Sequence, residues 1–169
     1  MQVRSATEAD AGPISSLIHG LSAPLLLSPD GKGGEPFLES IGELAIRGYI
    51  SAGNFSYLVA EHEGALAGVV ALRDNSHLYH LFVAPPHQGK GLGRSLWLRV
   101  KQSALQAGNG GRFTVNSSLN AVSFYGRLGF VPVGPKVVKH GVAFVPMQLV
   151  VDESDGQPLH RADVGSGRG

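Results

Sequence analysis

The run Leu81-Phe82-Val83-Ala84-Pro85-Pro86-His87-Gln88-Gly89-Lys90-Gly91-Leu92-Gly93-Arg94 decides how the rest of the chain is read. Before it, His77 to Val83 is rich in aromatic and aliphatic residues and reads as a strand that Pro85-Pro86 stops. After it, Leu92, Leu96, Trp97, Val100 and Ala104 fall on one face at helical spacing. The segment is therefore strand, glycine loop, helix. Two common phosphate loops are excluded. A Walker A loop needs Gly-Lys-Ser/Thr, and here Lys90 is followed by Gly91. The dinucleotide fingerprint needs a glycine three residues after its second, and that position is Arg94. What remains is physical. Glycines let consecutive backbone N–H groups turn into one concavity, and a helix starting there adds its positive end. Lys90 and Arg94 add full charges. The stretch is expected to bind a pyrophosphate.

Toward the N-terminus, Phe55 to Glu61 and Ala65 to Arg73 read as a hairpin about His62-Glu63-Gly64, and Asp74-Asn75-Ser76 turns the chain into the strand before the glycine loop. Phe37, Ile41, Leu44, Ala45 and Ile46 recur at helical spacing and predict a single helix. Residues 21–36 are rich in Pro, Gly and Ser and predict a long mobile connection of the kind that serves as a functional loop or lid. Thr7, ahead of Glu8 and Asp10, is an N-cap for a helix with Ile14, Leu17 and Ile18 on its face, and Gln2 to Ala6 alternates as a strand.

Toward the C-terminus, Gly108, Gly110 and Gly111 close the helix after the glycine loop, and Phe113 to Asn116 is a short buried strand. Asn120 opens a helix with Ala121, Phe124 and Leu128 inward. Phe130 to Val138 and Val142 to Val150 are strands around a Lys139-His140-Gly141 turn. The order is β-α-α-β-β-β-α-β-α-β-β, an α+β domain on a mixed, mostly antiparallel sheet. Residues 1–151 form one domain. Residues 152–169 hold four glycines and three aliphatic residues, and are expected to be a disordered tail.

The chain of 169 residues has 43% hydrophobic residues, enough for one core. It has no cysteine, which excludes a disulfide framework, a thiolate nucleophile and a Cys-type zinc site. No apolar run is long enough to cross a bilayer and the N-terminus lacks a signal-peptide core, so a cytoplasmic protein without membrane partners is expected. The formal net charge of +1 is a cancellation. Residues 1–74 carry nine acids against four bases, residues 75–151 carry eight bases and no acid, and residues 152–169 carry four acids and two bases. An acid-free stretch of this length predicts an anionic partner for that half of the chain.

With two motifs in place, the chain resembles the GNAT superfamily of acetyl-CoA-dependent N-acetyltransferases. The first motif is Leu81-Phe82-Val83 followed by Gln88-Gly89-Lys90-Gly91-Leu92-Gly93. The second is Asn120, Tyr125, Gly129 and Phe130 in register with the family's Asn-x-x-x-x-Tyr-x-x-x-Gly-Phe. The opening Arg4-x-Ala6-Thr7-x-x-Asp10 also looks like the family's first strand and helix. The resemblance implies helices on both faces of the sheet and acetyl-CoA as cosubstrate. It implies that the backbone of Gln88 to Arg94 holds the coenzyme A pyrophosphate. Leu81, Phe82 and Val83 would pair with the pantetheine arm, leaving an N–H near Phe82 to polarise the thioester. Asn120 would hydrogen-bond the pantetheine, and Tyr125 would serve as the acid for the departing thiolate.

The base is where the chain departs from the family. Many members carry Glu four residues before the Val, and that position is Tyr79 here. His77 is the leading substitute, on the same strand face as Tyr79, with His80 expected on the opposite face. Glu39 or Glu43, relayed by water, is the alternative. His77, His80 and His87 are not expected to hold a metal, since the first two diverge and no carboxylate is nearby. Glu35, Glu39 and Glu43 recur every four residues and would line one helix stripe, which predicts a cationic acceptor: a small-molecule primary amine, an amino acid or a peptide N-terminus. Two other functions compete with acetyl transfer. One is a non-catalytic acetyl-CoA-binding module with a degenerate base position. The other is a nucleic-acid-binding domain, disfavoured because no stacking platform or basic recognition helix is visible. Exposed sheet edges would allow a homodimer.

Overall fold

The computed structural model describes residues 1–152; segment 153–169, nearly all of the expected disordered tail, lies outside the described residues. The chain runs β1 (Gln2–Ser5), α1 (Ala11–Gly20), α2 (Glu35–Ser40), α3 (Glu43–Ser51), β2 (Phe55–His62), β3 (Ala65–Arg73), β4 (His77–Val83), α4 (Leu92–Gln106), β5 (Arg112–Ser117), α5 (Val122–Arg127), β6 (Val131–Pro132), β7 (Val137–Lys139) and β8 (Val142–Val150). One sheet runs β1-β2-β3-β4-β5-β8-β6, with β7 pairing β8 to one side. Every pairing is antiparallel except β4 with β5, which is parallel. The expected α+β class holds.

Two apolar clusters cover the two faces of the sheet. On one, Leu96, Trp97, Val100 and Ala104 of α4 pack with Val70, Leu72, Leu78, Phe113 and Phe130. On the other, Ala11, Ile14 and Ile18 of α1, with Ile41 and Ile46, pack with Tyr57, Val59, Val69 and Ala71. The helix stripe read after the glycine loop is thus the core face of α4. Residues Ala67 to Leu72 of β3 are buried without alternation, as a central strand covered on both faces requires. The short strand after α4 instead alternates, with Phe113, Val115 and Ser117 buried and Arg112, Thr114 and Asn116 exposed.

The N-terminal cap is as read. The Thr7 N–H donates to Asp10 Oδ2 at 2.7 Å, and Arg4 donates to both Asp10 oxygens and, through Nε, to Glu61. This guanidinium holds the Asp10 carboxyl below the usual carboxylate range and joins β1, β2 and the start of the first helical segment.

Three local expectations need correction. The single helix over Phe37 to Ile46 is two, broken at Ile41-Gly42. The break is stabilised by tertiary bonds to carbonyls that end α2: Ser15 Oγ donates to Ile41 O at 2.7 Å and Tyr49 Oη donates to Ser40 O at 2.9 Å. Phe130 to Val138 is not one strand, because Pro132, Gly134 and Pro135 interrupt it and leave β6 and β7. Residues 21–36 are pinned rather than free. Leu26 bridges Val142 and the Leu27 N–H donates to Gly141 O at 2.9 Å. A Cβ at Gly141, where φ is +76°, would overlap the Gly33 carbonyl, so glycine there lets loop and hairpin turn touch.

Candidate active site

The site begins where β4 and β5 part. β4 pairs with β3 from His77 to Val83, but with β5 only at His77↔Thr114 and Leu78↔Val115. Past Leu78 one edge of β4 is open. The Ala84 N–H donates to Ala67 O at 2.8 Å, so by alternation Phe82 faces β3, and Leu81 and Val83 turn their N–H and C=O groups to the open edge. The Val83 carbonyl already accepts from Gln88 Nε2 at 2.9 Å. The free N–H groups nearest Phe82 are therefore those of its two neighbours.

A groove of about 860 Å³ follows this edge. Leu81, Phe82 and Val83 line one wall, and Gln88, Gly89, Gly91, Leu92, Gly93 and Arg94 line its end. Gly91 caps α4 at φ +85° and Gly89 sits at φ +74°, which turn the loop's amides where an L side chain would be strained. Asn120, Phe124 and Arg127 form the far wall. Of the residues expected here, only Lys90 is outside the lining; it is exposed. Arg127 was not anticipated, although it lies two helical turns past Asn120, on the same face.

A second cavity of about 540 Å³ opens on the other side of Leu81, Phe82, Ser118 and Tyr125, which line both spaces. Tyr125 is buried, and burial pushes its phenol above the usual range, so it is protonated at neutral pH. Among the described residues its hydroxyl makes no hydrogen bond. Leu25 of the 21–36 loop lines both spaces.

His77, Tyr79 and His80 all line this second cavity. The expected divergence of His80 from Tyr79 does not occur. A bulge against Ala71/Leu72 leaves Tyr79 unpaired, which brings the Tyr79 and His80 rings to 4.5 Å on one face. His80 Nδ1 is 2.6 Å from Tyr57 Oη. Burial holds His80 neutral, pushed down to about 3. Burial, followed by the Arg73 charge, also lowers His77, whose Nδ1 lies 2.7 Å from Thr114 Oγ1. Tyr79 Oη donates to Tyr49 Oη at 3.1 Å, so the position where the family often carries Glu is a phenol in an aromatic cluster.

The expected acidic wall is absent from this cavity. Glu35, Glu39 and Glu43 do not line it. The helix break separates Glu43 from the other two, and it pairs with Arg47 at 2.9 Å. Glu35 accepts the Gly33 N–H. Without Glu39 or Glu43 at the cavity, a water relay from them is not supported. Among the described residues no three His, Asp or Glu side chains gather into a metal-binding group. No helix among them is long and apolar enough to cross a membrane.

Comparison with known proteins agrees with this fold. The structure is similar to a GCN5-related N-acetyltransferase of Rhodopseudomonas palustris, at 22% identity and TM-score 0.73, over 89% of this chain and 95% of that one. It is similar to the PaiA N-acetyltransferase of Thermoplasma acidophilum in complex with coenzyme A, at 17% identity and TM-score 0.66, over 88% and 98%. It is also similar to yncA of Salmonella typhimurium with its cofactor acetyl-CoA, at 25% identity and TM-score 0.60, over 90% and 95%. Among curated proteins no match is found. The family model described as an acetyltransferase (GNAT) domain matches residues 25–151, three quarters of the chain, and the chain belongs to that family.

Proposed function

We propose that this protein is an N-acetyltransferase that moves acetyl from acetyl-CoA to a primary amine by direct attack, without a covalent enzyme intermediate. The observation that carries this reading is Tyr125. Its buried, protonated, unpartnered hydroxyl stands where the groove and the second cavity meet. The groove is the coenzyme side. Loop amides of Gln88 to Gly93, the start of α4, Arg94 and Arg127 suit the pyrophosphate. The open edge of β4 offers Leu81 and Val83 to the amide-rich pantetheine arm, with Asn120 opposite.

The second cavity is the acceptor side. An ammonium must lose a proton before it attacks. Neutral His77, which pairs with Arg73 of β3 farther along β4 from the Leu81–Val83 edge, is the acceptor for that proton through a chain of water. The amine nitrogen bonds to the acetyl carbon, and charge develops on the carbonyl oxygen. A free N–H at the Leu81–Val83 edge stabilises that charge. The oxyanion re-forms the carbonyl as the C–S bond breaks, the thiolate takes its proton from the Tyr125 hydroxyl, and the phenolate regains one from the second proton that the nitrogen sheds on becoming an amide. The test is thiol release from acetyl-CoA with a panel of small amines, amino acids and peptides. Amine-dependent release with an acetylated product is expected. Tight acetyl-CoA binding with no release from any amine would instead identify a binding module.

A further inference from the structure

We propose that the acceptor is a primary amine that also carries an oxyanion, a carboxylate or a phosphonate, and that Arg73 and Lys139 read that oxyanion. The proposal rests on the second cavity being the acceptor side. Its charged lining side chains are Arg73 and Lys139, with no carboxylate among the lining residues; His77, His80 and His140 line it as well.

Arg73 stands at the end of β3. Its guanidinium lies over the Tyr79 ring at 5.3 Å, and none of its N–H groups makes a hydrogen bond among the described residues. Its ion-pair partner is the neighbouring Asp74, 3.6 Å from Nε, which is mostly exposed and does not line the cavity. Arg73 thus keeps its donor fork for a planar or tetrahedral oxyanion. Across the mouth, Lys139 at the end of β7 forms no ion pair among the described residues. The junction with the coenzyme groove is at Leu81, Phe82 and Tyr125. An acceptor that puts its amine at this junction and its oxyanion at the mouth meets complementary charge at one end and neutral groups at the other. A diamine of similar length would carry its second ammonium to the same two cations. The excess of bases in residues 75–151 therefore serves both cavities, because Lys139 and His140 come from that stretch as well as Arg94 and Arg127.

The experiment compares acceptors of matched shape with the full chain and saturating acetyl-CoA. 5-Aminopentanoate and 4-aminobutylphosphonate are set against pentylamine and 1,5-diaminopentane, which share the same four-carbon spacer from the amine. The two oxyanion-bearing acceptors are expected to show at least a tenfold higher kcat/KM. Relative turnover of the phosphonate and the carboxylate distinguishes the two oxyanions. Arg73→Gln and Lys139→Gln should each reduce the ratio between 5-aminopentanoate and pentylamine at least threefold. Equal turnover of 5-aminopentanoate and pentylamine, or a preference for the diamine, overturns the proposal and leaves acetyl transfer intact. No thiol release from any of these amines, with acetyl-CoA bound, overturns the acetyl-transfer reading and this proposal with it.

Discussion

The groove proposed for the coenzyme and the cavity proposed for the acceptor share Leu25, Leu81, Phe82, Ser118, Ala121 and Tyr125, yet they are assembled differently. The end of the groove comes from one short stretch, Gln88 to Arg94 without Lys90, in which three of the six lining residues are glycines that present only backbone. The cavity gathers side chains from α2, the end of β3, β4, β5 and the β7–β8 hairpin, segments far apart in sequence of which only β4 contributes a long run, His77 to Phe82. A site made of consecutive backbone tolerates few residue types at fixed spacing. A site made of converging side chains leaves no spacing in the sequence.

The groove is the side on which a single change should do most. Gly91→Glu forces an L residue to φ +85°, at a cost of about 1–2 kcal/mol, and adds a charge of the wrong sign at the start of α4. Acetyl-CoA affinity by calorimetry should fall more than about 100-fold, on the scale of 1.4 kcal/mol per factor of ten. The far-UV signal should stay native, because a Cβ at Gly91 meets no neighbour within 4 Å. Retained affinity would remove the loop from the coenzyme side.

At the seam, Tyr125→Phe deletes a hydroxyl that has no protein partner, so thermal stability should hold and acetyl-CoA affinity should stay within about twofold. Turnover should drop by about 10³, within the range for a positioned acid. Lost affinity with turnover per bound enzyme preserved would make Tyr125 a binding residue and deny the cavity its acid.

This contrast accounts for what could be read from the residues. The strand hairpins announced themselves through alternation and through turns such as Glu63-Gly64 and Asp74-Asn75, all four at positive φ. The glycine loop was legible for the same reason, because local geometry constrains it, whereas Asn120, Tyr125, Gly129 and Phe130 stood out through the resemblance to the acetyltransferase family. The split of the second helix was not, because it depends on Ser15 and Tyr49 reaching carbonyls far away in sequence. Neither was the bulge at Tyr79, which no residue in β4 signals and which turns His80 toward Tyr79. A regular alternation was the only available expectation, and it placed His80 on the wrong face. The acidic stripe failed likewise, since an i, i+4 pattern has meaning only along an unbroken helix.

Within the cavity, His77→Gln should lower kcat/KM by about 10² and flatten the pH–rate profile below pH 6.5, where a histidine held below its ordinary value would titrate. Unchanged rates across pH would move the base to another group and leave His77 as the hydrogen-bond partner of Thr114.

His80 gives the smallest effect and the one that isolates folding from chemistry. Its folded value of about 3 lies below the unfolded value near 6.5, so the unfolded chain binds the proton first as pH falls. The stability is fully present above pH 6.5 and is lost on acidification toward pH 3, at about 1.4 kcal/mol per pH unit once the unfolded imidazole is charged. His77 acts in the same direction, whereas the lowered Asp10 matters only below the ordinary carboxylate range. Urea unfolding between pH 6.5 and 4.5 should therefore show a slope that His80→Gln reduces by nearly one proton, even though the variant also weakens the contact with Tyr57. An unreduced slope would mean that His80 takes up its proton in the folded state. The cavity would then hold a third cation beside Arg73 and Lys139. The reduced slope instead fixes His80 as a neutral wall and leaves the recognition of an oxyanion to the two charged side chains.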